Sequence, residues 1–67
     1  MHEERSTVVS AESPNSFEEA IRLGVDKATE KIGPVHNAYI REQKVVVRNG
    51  HVTGYAVDLR VTYAGTD

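Results

Sequence analysis

Two amides and a tyrosine lie close together in this 67-residue chain, at Asn37, Tyr39 and Gln43. The amide groups could hydrogen-bond the polar edge of a planar heterocycle, and the Tyr39 ring could stack on its face. The same residue types are also ordinary on a partly exposed strand, where tyrosine is favoured and often anchors an interface. The stretch therefore predicts either a site for a flat ligand or a contact between chains.

Arg41, Asp58 and Arg60 form a second polar set. They could hold a ligand phosphate through charge-assisted hydrogen bonds, although such residues more often form ion pairs across strands or between subunits. A calcium ion needs about six to eight oxygen ligands, and the acidic residues are too dispersed for that unless several copies meet on a symmetry axis. His36 and His51 could gather at an axis in the same way, but exposed loop positions suit them as well.

No catalytic motif is present, because the sequence has no nucleophile–base arrangement, phosphate-binding loop or glycine fingerprint. The absence of cysteine excludes disulfides and thiol chemistry, and a net charge of −2 lacks the basic excess typical of nucleic-acid binding. No apolar run is long enough to span a bilayer, and no signal-peptide pattern follows the charged N-terminus. We therefore expect a cytoplasmic binding protein that is not an enzyme and has neither nucleic-acid nor membrane partners.

The size of the chain favours self-association. A domain this short buries too little apolar surface to be very stable alone, and natural proteins of this size usually add disulfides, a metal or further copies. We expect a single domain over residues 1–67, with residues 1–5 frayed, that assembles into a homo-oligomer.

The elements that must position the polar residues follow the order strand, helix, strand, strand. A β-branched stretch at residues 6–11 predicts the first strand. Ser16, with Glu19 three residues later, forms a capping box that starts a helix. Apolar residues then recur at helical spacing until a Gly-Pro pair ends the helix after residue 32. An Asn-Gly pair at residues 49–50 predicts a two-residue hairpin turn between two long strands.

Counting back from that turn predicts the pairing of the two hairpin strands. The sheet face away from the helix would carry three pairs and three valines: Tyr39–Arg60, Arg41–Asp58, Gln43–Ala56, Val45, Val47 and Val52. Glu42 would point toward the helix, so we expect a bulge near residues 42–45 that turns it outward. Solvation explains the charges on this face but not the valines. We therefore predict that other copies of the chain contact Arg41, Val45, Val47, Val52, Asp58 and Arg60.

The element order resembles that of the dodecin family, as do SPNSFEEA at residues 13–20 and the segments GHVTGY and VDLRVTY within residues 50–63. The resemblance covers about residues 6–64. It implies an α+β protomer, βαββ, with one helix on a three-stranded antiparallel sheet. It also implies a hollow shell of twelve copies that binds flavins such as riboflavin or FMN in pairs at subunit contacts, for storage without turnover.

The family's flavin site carries over only in part. Members of the family stack the flavin on a tryptophan at the position of Asn37, and this chain has no Trp. The flavin-binding glutamine of the family corresponds to Ala56, and Gln43 is predicted to lie beside it as a substitute. The predicted ligand-binding residues are therefore Asn37, Tyr39, Gln43 and Ala56.

Two alternatives stay open at this point. The missing tryptophan also resembles a branch of the family that is associated with calcium, which implies an ion-binding or purely structural shell. A smaller interaction module without a ligand is a third hypothesis.

Overall fold

The computed structural model describes residues 4–65, in which one helix packs on a three-stranded antiparallel sheet. The elements are β1 (Glu4–Ser13), α1 (Phe17–Ile32), β2 (Val35–Arg48) and β3 (His51–Ala64). The strand order is β1-β3-β2, so β3 is central and both other strands are edges. The predicted βαββ fold is confirmed.

The first strand begins earlier than the sequence pattern indicates. Glu4 and Arg5, expected in a frayed N-terminus, pair with Ala64 and Tyr63 of β3. The remainder of the segment expected to fray, residues 1–3, lies outside the described residues.

The helix begins after Ser16 as predicted, but only one of the two hydrogen bonds of a capping box forms. Ser16 has an extended backbone, and its Oγ accepts a hydrogen bond from the Glu19 N–H at 3.0 Å. The Glu19 carboxylate accepts hydrogen bonds from the hydroxyl of Ser13 and, at 2.8 Å, from the side-chain amide of Asn15. These two hydrogen bonds hold the pKa of Glu19 below its ordinary value, because they favour the charged form. The turn between β1 and α1 is thus tied to the first turn of the helix.

Small residues let the helix approach the sheet closely. Ala20, Gly24 and Ala28 lie four apart on one helix face and are buried. Their partners are the buried, inward-facing residues of β3: Val57, Leu59 and Val61. A Cβ atom at Gly24 would lie 2.9 Å from Leu59 Cδ1, which is closer than carbon atoms normally approach. Glycine at this position therefore sets the distance between α1 and the central strand.

The β2–β3 pairing matches the prediction at its two ends but not in its middle. Arg48 pairs with His51 and Tyr39 with Arg60, as counted from the turn. Between these pairs, Thr53 is an extra residue on β3 and Arg41 an extra residue on β2, so the two irregularities cancel.

The shifted register overturns two predicted pairs. Glu42, not Arg41, lies opposite Asp58, and Lys44, not Gln43, lies opposite Ala56. The expected bulge exists and does turn Glu42 outward, but it lies at Arg41 rather than within residues 42–45.

We name the two sheet surfaces by the helix: the helix-side face carries Val57, Leu59 and Val61, and the open face carries Ala56, Asp58 and Arg60. Directly paired residues of antiparallel strands point to the same face. The prediction that the hairpin valines share a face with Asp58 and Arg60 was therefore wrong. Val45 pairs with Tyr55, and Val47 follows two residues later and pairs with Val52, which places these valines on the helix-side face. The Arg41 bulge causes the change for Val45 and Val47, and the extra residue Thr53 causes it for Val52, because one extra residue reverses the alternation along a strand.

The helix covers only part of the helix-side face. It packs mainly on β1 and β3, so apolar side chains of β2 and of the start of β3 are not covered by it. The exposed fractions are 50% for Ile40, 43% for Val45, 55% for Val47 and 52% for Val52.

Glu19→Gln is expected to destabilise the fold at neutral pH, because a neutral amide is a weaker acceptor than a carboxylate. The pKa of Glu19 is lowered from 4.5 in the fold, so its carboxylate stabilises the protein above the unfolded-state pKa. That contribution is lost as the pH falls through the folded-state pKa. Urea midpoints measured from pH 7 into the acid range should show a gap between wild type and variant that closes in acid.

Glu18→Gln is the matched control, since it removes a charge from the same helical turn but breaks only a solvent-exposed ion pair of 3.6 Å with Arg22. Equal effects of the two variants, or a gap that persists unchanged in acid, would contradict the role assigned to the Glu19 hydrogen bonds.

Candidate functional site

The open face is organised in rows that run across the three strands, because antiparallel partners point to the same side. From one end of the sheet toward the hairpin tip the rows are Ser6–Thr62–Asn37, Val8–Arg60–Tyr39, Ser10–Asp58–Glu42 and Glu12–Ala56–Lys44. Polar, aromatic, cationic and acidic groups thus occupy neighbouring rows of one surface.

The second row contains a stacked aromatic–cation pair. The Arg60 Cζ atom lies 4.9 Å from the centroid of the Tyr39 ring, within the range of a cation–π interaction. Tyr39 is 49% exposed, so the pair is accessible on the open face. No carboxylate within residues 4–65 forms a salt bridge with Arg60.

The first row contains a buried hydroxyl without a partner. Thr62 is only 4% exposed, and its Oγ1 atom makes no hydrogen bond to any of the described residues. Leaving a buried hydroxyl unpaired costs about 1–3 kcal/mol, and such groups are rare in folded proteins. Because the hydroxyl is also covered, a ligand or another chain could reach it only if its neighbours moved.

The acidic third row is linked to the edge of the sheet. Ser10 Oγ donates a hydrogen bond of 2.6 Å to Asp58 Oδ1. The Nζ atom of Lys27, on the helix, donates to the main-chain carbonyl of Ser10 at 3.0 Å. The β1 edge is thus partly capped, and one oxygen of the Asp58 carboxylate accepts a hydrogen bond within the chain.

A cavity of about 430 Å³ lies beside the third and fourth rows. Its lining residues are Ser10, Ala11, Glu12, Lys27, Lys44, Ala56, Val57 and Asp58. Small-molecule sites usually have about 300–1,000 Å³ and bury most of the ligand. This cavity is large enough but wide open, so one chain alone cannot enclose a ligand in it.

Three of the four predicted ligand-binding residues share the open face: Asn37, Tyr39 and Ala56. Ala56 lines the cavity directly, whereas Asn37 and Tyr39 lie in the first two rows. Gln43 is on the other surface, because it pairs with the buried Val57. It cannot replace the missing glutamine beside Ala56 within the same chain.

Sequence reasoning missed Lys44 and Thr62 as candidate site residues. Placing the bulge at Arg41 would have found Lys44, because the register then sets it opposite Ala56. The alternation along β3 assigned Thr62 to the open face, but its burial depends on neighbouring strands and leaves no local signal in the sequence.

The predicted interface residues separate into two groups. Asp58 and Arg60 lie on the open face, the three valines lie on the helix-side face, and Arg41 occupies the bulge between them.

The structure offers little to a metal ion within one chain. Among residues 4–65, no group of three His, Asp or Glu side chains is close enough to bind one. His36 Nδ1 lies 3.7 Å from Glu4 Oε2, and both side chains are about half exposed. No helix in the described part of the chain is long and apolar enough to cross a membrane.

Comparisons with known proteins agree with the fold. A family model described as Dodecin matches residues 5–65. The structure is similar to a dodecin from Streptomyces davaonensis, with 21% identity, a TM-score of 0.91, and coverage of 98% of this chain and 97% of that one. A Streptomyces coelicolor dodecin has 21% identity, a TM-score of 0.91, and coverage of 98% and 94%.

A third solved structure is a Thermus thermophilus dodecin in which a tryptophan is replaced by phenylalanine. It has 16% identity, a TM-score of 0.89, and full coverage of both chains. At these identities the structural likeness shows the shared fold. A search of curated protein sequences found no significant match.

Thr62→Val is expected to leave the urea midpoint of the ligand-free protein unchanged or raise it. The two side chains have nearly the same shape, and the change removes a buried hydroxyl that lacks a hydrogen bond. The control Val61→Thr places the same hydroxyl in the core at the adjacent, fully buried position and should cost about 1–3 kcal/mol. If both variants are equally destabilised, the Thr62 hydroxyl has a hydrogen-bond partner in the ligand-free protein.

Proposed function

Because this chain belongs to the dodecin family, we propose that it stores a flavin such as riboflavin or FMN between copies of itself in a hollow shell of twelve subunits. The family consists of non-catalytic small-ligand-binding proteins, and membership confirms the expectation that this chain is not an enzyme. The cytoplasmic location stays a prediction.

The cavity on the open face is the observation that carries this proposal. It has the volume of a small-molecule site, but its open shape leaves a bound ring exposed on one side. A second copy of the chain would supply the opposite wall. Burial of the ring between subunits would then shield it from solvent and from photochemical or redox side reactions.

Four open-face residues would contact the ligand in this arrangement. Ala56 leaves room at the cavity floor, and Lys44 stands across from it as a hydrogen-bond donor. Tyr39 provides an aromatic surface in place of the tryptophan that this chain lacks. Asn37 lies one row further along the same face and can hydrogen-bond a polar substituent.

The uncovered apolar strip on the helix-side face supports self-assembly. Ile40, Val45, Val47 and Val52 are each between 43% and 55% exposed, and together they form a stripe along the hairpin beyond the helix. The molecule measures 52 × 18 × 14 Å, so the hairpin can extend over a neighbouring subunit. The polar Gln43 lies between Ile40 and Val45 on this face, but the three valines form an exposed apolar patch, and such patches mark interaction sites. We place the subunit contacts there and at Arg41 and Asp58, whereas Arg60, also predicted as a contact, is assigned here to the ligand.

An ion-binding or purely structural shell is the second candidate, and the missing tryptophan favours it. A calcium site would have to combine oxygen ligands from several copies on an axis, since about six to eight are needed.

Titration of riboflavin and FMN with the purified protein tests the proposal through the quenching of flavin fluorescence, with the oligomer mass measured in the same buffer. We expect quenching at micromolar protein and a mass of about twelve chains. Tyr39→Ala should weaken binding at least about tenfold, because stacking on an aromatic ring is worth ~1–3 kcal/mol. An intact large shell without quenching would exclude flavin storage, and chelator sensitivity of its stability would then support the ion-binding alternative.

Ile40→Lys is expected to lower the oligomer mass toward that of small species, because it puts an ammonium group on the uncovered strip. Asp26→Lys is the control, since it introduces the same group at an exposed helix position. Mass measurement at several protein concentrations distinguishes the two. An unchanged mass for Ile40→Lys would remove the strip from the interface.

A further inference from the structure

We propose that the stacked Tyr39–Arg60 pair is the ring-binding platform of the site and that it selects planar aromatic ligands carrying a negative charge. This inference rests on the proposed function, because it assigns a ligand class to the same open face.

The first argument is the geometry of the pair. The Cζ atom of Arg60 lies over the Tyr39 ring, 4.9 Å from its centroid, while Tyr39 keeps 49% of its surface exposed. A guanidinium group is planar and weakly hydrated, so a further aromatic ring can extend the stack at little desolvation cost. The pair therefore offers a flat surface without a tryptophan.

The second argument is the absence of a direct ion pair. Arg60 has no salt bridge to any carboxylate of residues 4–65. Asp58 and Glu42 form the next row toward the hairpin tip and keep their negative charge. A ligand carboxylate or phosphate would therefore bind Arg60 by charge-assisted hydrogen bonds on the opposite side, toward the row of Asn37.

The third argument is the neighbouring row. Thr62 and Asn37 lie one row from the platform on the same face, which is roughly 6–7 Å along the strand. Asn37 contributes an exposed amide, whereas the Thr62 hydroxyl is buried below the surface. A ring bound on the platform reaches Asn37 with a polar substituent, so a cation, an aromatic surface and an amide converge on one ligand.

The experiment compares two matched pairs of probes whose rings are alike and whose charges differ. FMN carries a phosphate that riboflavin lacks, and acridine-9-carboxylate is the anionic counterpart of the neutral acridine-9-carboxamide. Dissociation constants are measured by fluorescence at low and high ionic strength, and the oligomer mass is determined for every variant.

We expect the wild-type protein to favour the anion of each pair by about tenfold or more at low salt, with the preference shrinking at high salt. Arg60→Gln should abolish the preference, whereas Arg60→Lys should keep it but weaken both members of a pair, because lysine retains the charge and loses the flat surface. Tyr39→Phe should change little, and Tyr39→Leu should weaken all ring binding. Thr62→Val should leave binding unchanged, because the Thr62 hydroxyl is buried below the surface that the ligand contacts.

The outcomes separate this inference from the proposed function. Flavin binding whose FMN-to-riboflavin ratio is the same in wild type and Arg60→Gln overturns the platform and leaves flavin storage intact. An Arg60-dependent preference for the acridine carboxylate without flavin binding supports the platform and overturns flavin storage. A changed oligomer mass in Arg60→Gln with unchanged ligand ratios assigns the pair to a subunit contact and overturns the inference.

Discussion

The contact between Gly24 and Leu59 is the constraint on which the rest of the structure depends. The helix can approach the central strand closely only because position 24 has no side chain, and a Cβ there would come within 2.9 Å of Leu59 Cδ1. Ala20 and Ala28 continue the same narrow ridge one turn to either side. A helix held this close over β1 and β3 cannot also shield β2, which has few contacts with it. The apolar strip and the open face are both consequences of that placement.

The incomplete cover links stability to assembly. A chain of 67 residues has a small core, and five buried apolar side chains form most of it. The valines and the isoleucine of the hairpin bury their surface only against another molecule. The shallow cavity on the open face also depends on a second molecule, because one chain forms only one wall of it. In the proposed shell, association of the subunits would both bury the apolar strip and enclose the ligand site.

The site differs from the family pattern in the residue that would stack on the flavin ring. Asn37 occupies the position that the resemblance gives to a tryptophan, and a small amide cannot stack on a tricyclic ring as an indole does. The nearest aromatic group, Tyr39, lies one row away and already holds a guanidinium. Such a surface differs from an indole in charge more than in shape. Such a site would select ligands by their charge as well as by their planarity, which is the basis of the selectivity proposed for Arg60.

Local patterns in the sequence determined the elements of this protein. The capping box at Ser16, the glycine after residue 32 and the Asn-Gly turn act within a few residues of themselves, so their effects could be predicted without the fold. The motif regions at residues 13–20 and 50–63 were sufficient to indicate the family. The tertiary structure alone decided the middle of the β2–β3 register, because bulges at Arg41 and Thr53 depend on how two strands fit together against the helix. That decision moved Gln43 and the valines to the helix-side face and brought Lys44 opposite Ala56. Side-chain alternation has a period of two residues, so a single extra residue exchanges the two faces of a strand, and no local signal in the sequence locates it.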